Sequence, residues 1–171
     1  MDGSFEEYVI SRGDVLLRFA YVLSGDRHLA EDLVQEVLAR VHGRWHRMAH
    51  VEQPDAYLRK AIVRQFLSWR RRRSSGETPT ERVPERASTA DIAARQATRD
   101  EMWRLLASLP RKQRAVLVLR FYEDLPDPEI AEVLGCRQTT VRVHASRGLA
   151  RLRQLLQPSN HQVPQAVGGN S

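Results

Sequence analysis

The sequence predicts an all-α protein built from two small helical domains joined by a flexible linker. Its apolar residues recur at spacings of three and four, the period of a helix with one buried face, and no stretch alternates as a β-strand does. Capping residues and glycines stand at the ends of these periodic stretches. The segment 76–95 interrupts them with prolines, mixed charge and few large apolar residues, a composition typical of linkers. The predicted domains are 1–75 and 96–156, followed by a disordered tail at 157–171.

The composition is that of a globular protein with an anionic partner. Of the 171 residues, 42% are hydrophobic and 28% charged, which separates the chain from disordered sequences. The net charge of +6 favours nucleic acid or an anionic surface as partner. No apolar run approaches the ~20 residues of a membrane span, and the acidic start MDGSFEEYV is unlike a secretory signal. We therefore expect a cytoplasmic protein with no membrane partner.

The first domain is predicted to begin with two capped helices. Ser4 and Glu7 form an S-x-x-E capping box at the start of the first helix. Gly25 is suited to end that helix, and Asp26 to cap the next one. Opposite its apolar stripe the second helix carries an acidic, amide-bearing face, which fits a basic helix of a partner. The residues of this face are Glu31, Asp32, Gln35 and Glu36.

A third helix is predicted to start after Gln53, with Pro54 in its first turn, and to extend to about Arg73. No acid occurs from residue 56 to residue 76, and aromatic residues alternate with the cations. This mixture suits single-stranded nucleic acid, because cations bind phosphates while aromatic rings stack on unpaired bases. The candidate residues are Tyr57, Arg59, Lys60, Arg64, Gln65, Trp69, Arg70 and Arg71. The alternative, that the aromatic rings belong to the core, is favoured for Phe66 and stays open for Tyr57 and Trp69.

Residues 127–152 predict a helix-turn-helix, which follows a helix that begins at Pro110 and is expected to bury Ala115, Val116, Leu119 and Phe121. Asp127 is expected to cap its first helix, Pro128 to occupy the first helical position, and Gly135 to end the helix in a left-handed conformation. The second helix has a buried stripe at spacings of four, four and three, formed by Val141, Ala145, Leu149 and Leu152. Cys136, the one cysteine, is read as a small turn residue, and it excludes a disulfide framework within the chain.

The second helix of this motif is basic, and no acid follows Glu132 in the chain. A solvated helix face usually mixes charges, since pairs at i and i+4 stabilise it. A face with positive charge alone favours DNA as the partner over the alternative of an ordinary solvated helical hairpin. A basic second helix of this kind enters the major groove of DNA. The candidate contacts are Arg137, Thr139, Thr140, Arg142, His144, Ser146, Arg147 and Arg151. Of these, Arg137 and Arg151 are assigned to phosphates, which add affinity without sequence information.

The sequence predicts neither a metal site nor an enzyme. His42, His46 and His50 lie four residues apart, a spacing that can ligate zinc. Gly43 and the absence of a further Cys or Asp nearby argue against such a site. No carboxylate cluster or nucleophile–base pair is evident, so a nuclease or transferase is disfavoured. We expect no cofactor.

Four segments carry a family resemblance: HLAEDLVQEVLARVHGRW (28–45), YLRKAIVRQFLSWRRRR (57–73), LPRKQRAVLVLRFYEDL (109–125) and EIAEVLGCRQTTVRVHASRGLARLR (129–153). In this order, and with this linker, they resemble extracytoplasmic-function (ECF) sigma factors of the bacterial sigma-70 family, most closely the SigE-type subfamily of actinobacteria. The resemblance implies that the first domain is sigma domain 2, a bundle of three or four helices. The second would be sigma domain 4, four helices with the helix-turn-helix.

The resemblance also implies a function, that of directing core RNA polymerase to specific promoters. The acidic face matches the family's AEDLVQE motif, which docks on the clamp helices of the β′ subunit. The helix at 57–73 would open and read the −10 element, the basic helix would lie on the −35 element, and the apolar helices before it would meet the β flap. An anti-sigma factor is a further partner that the resemblance allows. The alternative is a free-standing helix-turn-helix regulator, which binds duplex DNA without polymerase.

The linker and three departures from the family pattern bear on promoter recognition. About 22 linker residues reach ~75 Å when extended, enough for DNA elements two turns, ~68 Å, apart. Arg64 stands where relatives usually carry Asn, Pro126 replaces the usual Ser or Thr cap, and Thr139 replaces Gly. The class of protein is unaffected by these departures, and the promoter sequence stays open.

Overall fold

The computed structural model describes residues 4–48, 53–73 and 90–157, with the backbone alone at 70–73 and 90–97. Within these ranges every regular element is helical, which confirms the predicted all-α class. The elements are α1 (Phe5–Ser24), α2 (Arg27–His42), α3 (Trp45–Met48), α4 (Pro54–Arg73), α5 (Ala90–Ala107), α6 (Arg111–Leu117) with a π-helical turn (Val118–Tyr122), α7 (Asp127–Leu134) and α8 (Gln138–Leu156). We refer to α1–α4 as the first domain and α5–α8 as the second domain.

The first domain is a bundle in which α1, α2 and α4 pack against one another. Phe19 of α1, Leu33 of α2 and Phe66 of α4 are at most 1% exposed. Full burial of such a side chain stabilises the fold by about 1.5–3 kcal/mol. Phe66 is therefore a core residue, as its spacing predicts.

The boundaries of α1 and α2 follow the predicted caps. The Ser4 hydroxyl accepts the amide hydrogen of Glu7 at 3.2 Å, and the Glu7 carboxylate accepts that of Ser4 at 3.1 Å. Gly25 ends α1 with a φ of 70°, and the Asp26 carboxylate accepts the amide hydrogen of Leu29 at 2.9 Å. The predictions for these caps are confirmed.

The second domain packs its helix-turn-helix onto α6. Val141 and Ala145, at most 1% exposed, form the buried side of α8. The absent side chain at Gly148 brings α8 close to α6, since a Cβ there would lie 3.0 Å from Cδ1 of Leu117. Gly135 ends α7 with a φ of 63°, as predicted.

Two predictions in the second domain are wrong. Pro126, and not Asp127, occupies the cap position of α7, and no side chain caps that helix. Asp127 is the first helical residue and its carboxylate accepts hydrogen bonds from arginines instead, which places Pro128 second. Phe121, predicted to be buried, is 64% exposed. The π-helical turn closes i to i+5 bonds, so residues within it leave the face that a 3.6-residue period predicts.

The ends of the predicted linker and tail also differ from the observed elements. Helix α5 begins at Ala90, within the segment 76–95 that was expected to be linker. Helix α8 ends at Leu156. The remaining linker residues, 76–89, and the tail from 158 onwards lie outside the described residues. Helix α3 was not predicted, because four residues carry too little periodicity to be detected.

Candidate nucleic-acid interfaces

The exposed side of α8 carries most of the residues predicted to contact duplex DNA. Arg137 lies at the position just before the helix. Most of the predicted side chains are exposed, and Thr140 and His144 are half-buried. The exposed predicted residues are Arg137, Thr139, Arg142, Ser146, Arg147 and Arg151. The structure therefore brings the predicted residues onto one cationic helix whose opposite side is buried in the domain.

Asp127 links this helix to the one before it. Its carboxylate forms ion pairs with Arg120 of the π-helical turn and with Arg142 of α8, the latter at 3.3 Å. The hydrogen bond from Arg120 outweighs the effect of burial and holds the pKa of Asp127 below its usual value. The carboxylate is thus ionised at neutral pH and positions Arg142, which remains 66% exposed, at the start of the basic face.

His144 has a different environment from its exposed neighbours. Its Nδ1 atom is buried, with no hydrogen-bond partner among the described residues. Burial, together with the nearby charges of Lys112 and Arg147, lowers the pKa of His144 below its usual value. The imidazole is therefore neutral at pH 7 and contributes shape rather than charge to this surface.

A second basic surface lies in the first domain, where α2 and α4 form a cleft of about 430 Å³. It brings together four of the residues predicted to bind the −10 strand, Tyr57, Lys60, Arg64 and Gln65. The structure adds lining residues that were not predicted, namely Arg40, Arg44, Met48 and Ser68, together with the apolar Val37, Val41 and Ala61. Arg40 lies in the last turn of α2, whose basic character was the signal for it, and Arg44 follows Gly43 just beyond that helix.

Gln65 is oriented within this cleft by Arg40. The Gln65 side chain is 8% exposed and its Oε1 accepts a hydrogen bond of 3.1 Å from the Arg40 guanidinium. Because arginine only donates, this contact assigns the oxygen of the amide to the side facing Arg40. The Nε2 hydrogens are then the groups of Gln65 that face other partners.

The aromatic residues of α4 divide between cleft and core. Tyr57 is 46% exposed and lines the cleft, which leaves its ring available for stacking. Trp69 is half-buried and packs against the core. Arg59 lies outside the cleft and pairs with Glu123 of the second domain at 2.7 Å. The side chains of Arg70 and Arg71 lie outside the described residues.

The predicted acidic residues lie on the outer side of α2, and two of their carboxylates form ion pairs with arginines of the same helix. Asp32 and Gln35 are exposed. Glu31 pairs with Arg27 at 3.3 Å and Glu36 with Arg40 at 3.1 Å, both within the helix. Exposed pairs of this spacing are worth about 0.3–0.5 kcal/mol, so a basic partner can replace them at little cost.

The described part of the chain contains neither a candidate metal site nor a membrane-spanning helix. In the described ranges, no group of three or more His, Cys, Asp or Glu side chains could hold a metal ion. Of the three histidines spaced four apart, His50 lies outside these ranges, and His42 packs edge-on against Phe5 with 4.8 Å between ring centroids. No helix in the described part of the chain is long and apolar enough to cross a bilayer.

A cationic helix-turn-helix and a separate basic cleft on one all-α chain are features of a DNA-binding class of protein. Known families agree: residues 9–76 match sigma-70 region 2, and residues 99–152 match sigma-70 region 4. The RNA polymerase sigma-E factor of Streptomyces avermitilis is 42% identical over 153 residues, which cover 90% of this chain and 85% of that protein. The chain therefore belongs to the sigma-70 family of RNA polymerase sigma factors, as the sequence resemblance predicted.

Other relatives extend this similarity. The sigma-E factor of Streptomyces coelicolor is 41% identical over 152 residues, covering 89% of this chain and 85% of that protein. The ECF sigma factor SigE of Mycolicibacterium smegmatis is 34% identical over 175 residues, covering 96% of this chain and 66% of that protein. Among solved structures, the sigma factor RpoE of Bartonella quintana, in complex with the anti-sigma factor NepR, is 24% identical with a TM-score of 0.65, covering 89% of this chain and 96% of that one. At this identity the likeness supports the fold alone.

Proposed function

We propose that this sigma factor directs core RNA polymerase to promoters by holding two DNA elements with its two basic surfaces. The observation that carries the proposal is the cleft between α2 and α4, where cations, a buried amide and an exposed tyrosine converge. A free-standing regulator that binds duplex DNA needs only α8. A cleft with a stacking ring and oriented donors is instead suited to an unpaired base.

On the −35 element, α8 lies in the major groove with its N-terminal residues against base edges. Thr139, Arg142 and Ser146 are exposed along that part of the helix and form the base-reading set. Arg137 and Arg151 bind phosphates at the two ends of this surface, where they add affinity and salt dependence. Asp127 keeps Arg142 at the start of the groove-facing side.

On the −10 element, the α2–α4 cleft captures a base that has left the stack. Extruding a base costs a few kcal/mol, and stacking on an aromatic ring returns about 1–3 kcal/mol. Tyr57 supplies the ring, while Arg40, Arg44, Lys60 and Arg64 attract the phosphates. Gln65, with its oxygen held by Arg40, presents amide hydrogens and therefore favours a base with acceptor atoms on the edge it offers.

On the polymerase side, the acidic surface of α2 docks on a basic helix of the β′ clamp, and the second domain meets the β flap. Asp32 and Gln35 are free for this contact, and Glu31 and Glu36 exchange their internal partners for it. The protein contributes specificity and strand capture and has no catalytic activity of its own. It acts beside core polymerase in the cytoplasm. An anti-sigma factor is a further partner, since the Bartonella quintana sigma factor of the same fold was solved in complex with one.

Transcription reconstituted from purified core polymerase and the full chain tests this function. Templates are fragments of genomic DNA, and the 5′ ends of the transcripts are sequenced. We expect start sites that share a −10 and a −35 sequence and that disappear when the chain is omitted. Asp32→Arg should abolish this activity, whereas Asp14→Arg, the same charge change at an exposed position of α1, should retain it. Tight duplex binding with no polymerase-dependent start sites would support a free-standing regulator instead.

A further inference from the structure

Val143 is an exposed apolar residue on the side of α8 that points away from the domain. Val141 and Ala145, two positions before and after it, are at most 1% exposed. Two residues turn an α-helix by about 200°, so Val143 lies opposite this buried side. Its exposure of 44% leaves the branched side chain open to solvent, where an unbound chain gains nothing from an apolar residue.

The neighbours of Val143 on this side of the helix are polar or cationic. Thr139 lies four residues before it and Ser146 three residues after it, so the three side chains share one face of the helix, and all three are exposed. Arg142 and Arg147 flank this row. Hydroxyl and guanidinium groups hydrogen-bond to base edges and phosphates, whereas Val143 offers apolar surface alone.

The local geometry holds this side chain in one orientation. Val143 lies in the second turn of α8, which begins at Gln138, and the N-terminal part of such a helix is the part that reaches base edges. A β-branched side chain in a helix has one strongly preferred rotamer. The ion pair between Asp127 and Arg142, the residue before Val143, ties this part of α8 to α7. The apolar group is therefore positioned before DNA binds.

The major groove contains one kind of apolar group that matches such a side chain, the C5-methyl group of thymine. The other groups that distinguish the base pairs there are hydrogen-bond donors and acceptors, and a valine placed against them leaves them without partners. A valine placed against the methyl group removes both apolar surfaces from water. Burial of one such carbon changes an affinity about fourfold.

We propose that Val143 recognises a thymine in the major groove through its C5-methyl group, and that it thereby sets the preference at one base pair of the −35 element. The inference rests on the proposed role of α8 and deepens it, because it adds an apolar contact to the hydrogen-bonding residues Thr139, Arg142 and Ser146. The ligand of Val143 is the methyl group itself, so uracil at the same position does not replace thymine.

The preference is measured first, with the free chain and without polymerase. The full chain selects duplexes from a pool of random sequence, and the enriched sequences are determined. We expect one position at which thymine is enriched. A second pool, made with deoxyuridine in place of thymidine, should lose the preference at that position and keep the rest of the motif.

The contribution of the methyl group is then measured by titrating labelled duplexes of the enriched sequence. Replacing the one thymine by uracil removes a methyl group and leaves every hydrogen-bonding group of the base in place. This change should weaken binding of the unchanged chain about fourfold. Val143→Ala should bind the thymine and uracil duplexes equally. Val143→Ile keeps a branched apolar side chain and should keep the difference between the two duplexes.

Leu155→Ala is the matched control, because Leu155 is an apolar residue of the same helix with the same exposure of 44%. It lies at the far end of α8, and its truncation should preserve the difference between the thymine and uracil duplexes. Alanine forms helices better than valine does, so Val143→Ala does not act by unfolding α8.

Two results would overturn the proposal. One is a selection in which no position prefers thymine, which includes a selection without any enrichment. The other is a loss of affinity for the uracil duplex that persists unchanged in Val143→Ala, which would mean that another group contacts the methyl group. Both measurements use the free chain and a duplex. The absence of polymerase-dependent start sites would instead count against the proposed function.

Discussion

Arg114 of α6 donates a hydrogen bond of 2.8 Å to the carbonyl oxygen of Ser24, the last residue of α1. The same guanidinium also donates to Leu23, Ala107 and Leu109, so one cation joins the ends of α1 and α5. The side chain is 7% exposed. Burial, with a smaller effect of the Arg111 charge, lowers the pKa of Arg114 to about 10, which leaves it charged at neutral pH. The negative pole at the end of a helix favours a cation in this place.

Arg114→Met should destabilise the chain by about 1–3 kcal/mol, because several buried carbonyl groups lose a charged donor. The free energy of unfolding in urea measures this change. Arg104→Met alters an exposed arginine of α5 and should have an effect near zero. Equal effects of the two substitutions on the free energy of unfolding would mean that the Arg114 contacts do not stabilise the folded chain.

Gly25→Ala should be strongly destabilising, since Gly25 has a φ of 70° and a Cβ there would lie 2.7 Å from Cβ of Ala107. The left-handed conformation alone costs a non-glycine residue about 1–2 kcal/mol, and the clash adds to that. Gly43→Ala is the matched control, because its φ is −66° and no atom lies within 4 Å of the added Cβ. Thermal unfolding should show a lower Tm for the first variant and little change for the second. A similar loss in both would contradict the close approach of α1 and α5.

Tyr57→Ala should weaken binding of single-stranded −10 DNA by polymerase-bound sigma factor by about 1–3 kcal/mol, the contribution of one stacked base. Tyr57→Phe keeps the ring and should retain most of the affinity. Fluorescence anisotropy of a labelled strand measures both. Tyr21→Ala changes a tyrosine of similar exposure, 38%, that does not line the cleft. If Tyr57→Ala and Tyr21→Ala behave alike, stacking at the cleft is not the source of affinity.

Arg142→Ala should weaken binding to the −35 duplex by about 1–3 kcal/mol and relax the preference at one base pair, because it removes a contact with a base edge. Arg137→Ala should weaken all sequences equally and reduce the salt slope by about one. Arg153 lies eleven residues beyond Arg142 on α8, about 16 Å along the helix axis at 1.5 Å per residue. Arg153→Ala should therefore have the smallest effect on affinity for the duplex. An effect of Arg153→Ala as large as that of Arg142→Ala would place the duplex elsewhere.

Asp127→Asn should reduce stability at neutral pH and lose its effect in acid. The carboxylate has a pKa below its usual 3.8 in the folded chain, because of the hydrogen bond from Arg120. Its contribution is therefore complete above pH 3.8 and disappears as the pH falls through the folded value. Unfolding in urea between pH 7 and pH 2.5 should show the two chains converging below pH 3.8. A difference that persists unchanged at pH 2.5 would exclude ion pairing as its cause.

The sequence predicted the elements of this fold well where local chemistry determines them. The capping box at Ser4, the left-handed Gly25 and the apolar stripe around Phe66 each need only near neighbours in the chain. The helical period predicted which side of α8 is buried for the same reason. The candidate DNA-binding residues of α8 and α4 could be selected from the sequence alone, because charge and aromatic content are properties of composition.

The features that the sequence did not predict depend on contacts beyond the nearest neighbours in the chain or on a local change of helix type. Asp127 has the residue type of a cap, but Arg120 and Arg142 compete for its carboxylate. The ion pair between Arg59 and Glu123 joins residues of the two domains, which the spacing within α4 does not reveal. Phe121 follows the apolar period until the π-helical turn interrupts it. Arg40 was missed because its place in the cleft depends on how α2 packs on α4.

Transcription from one mapped promoter, with its −10 and −35 elements changed separately, tests the two-surface account most directly. Holoenzyme with the unchanged chain should lose run-off product when either element is altered. With Tyr57→Ala, activity should fall and become insensitive to the −10 change while remaining sensitive to the −35 change. With Arg142→Ala, the opposite pattern is expected. If both variants lose sensitivity to both elements equally, or if neither loses any, the assignment of one DNA element to each surface is contradicted.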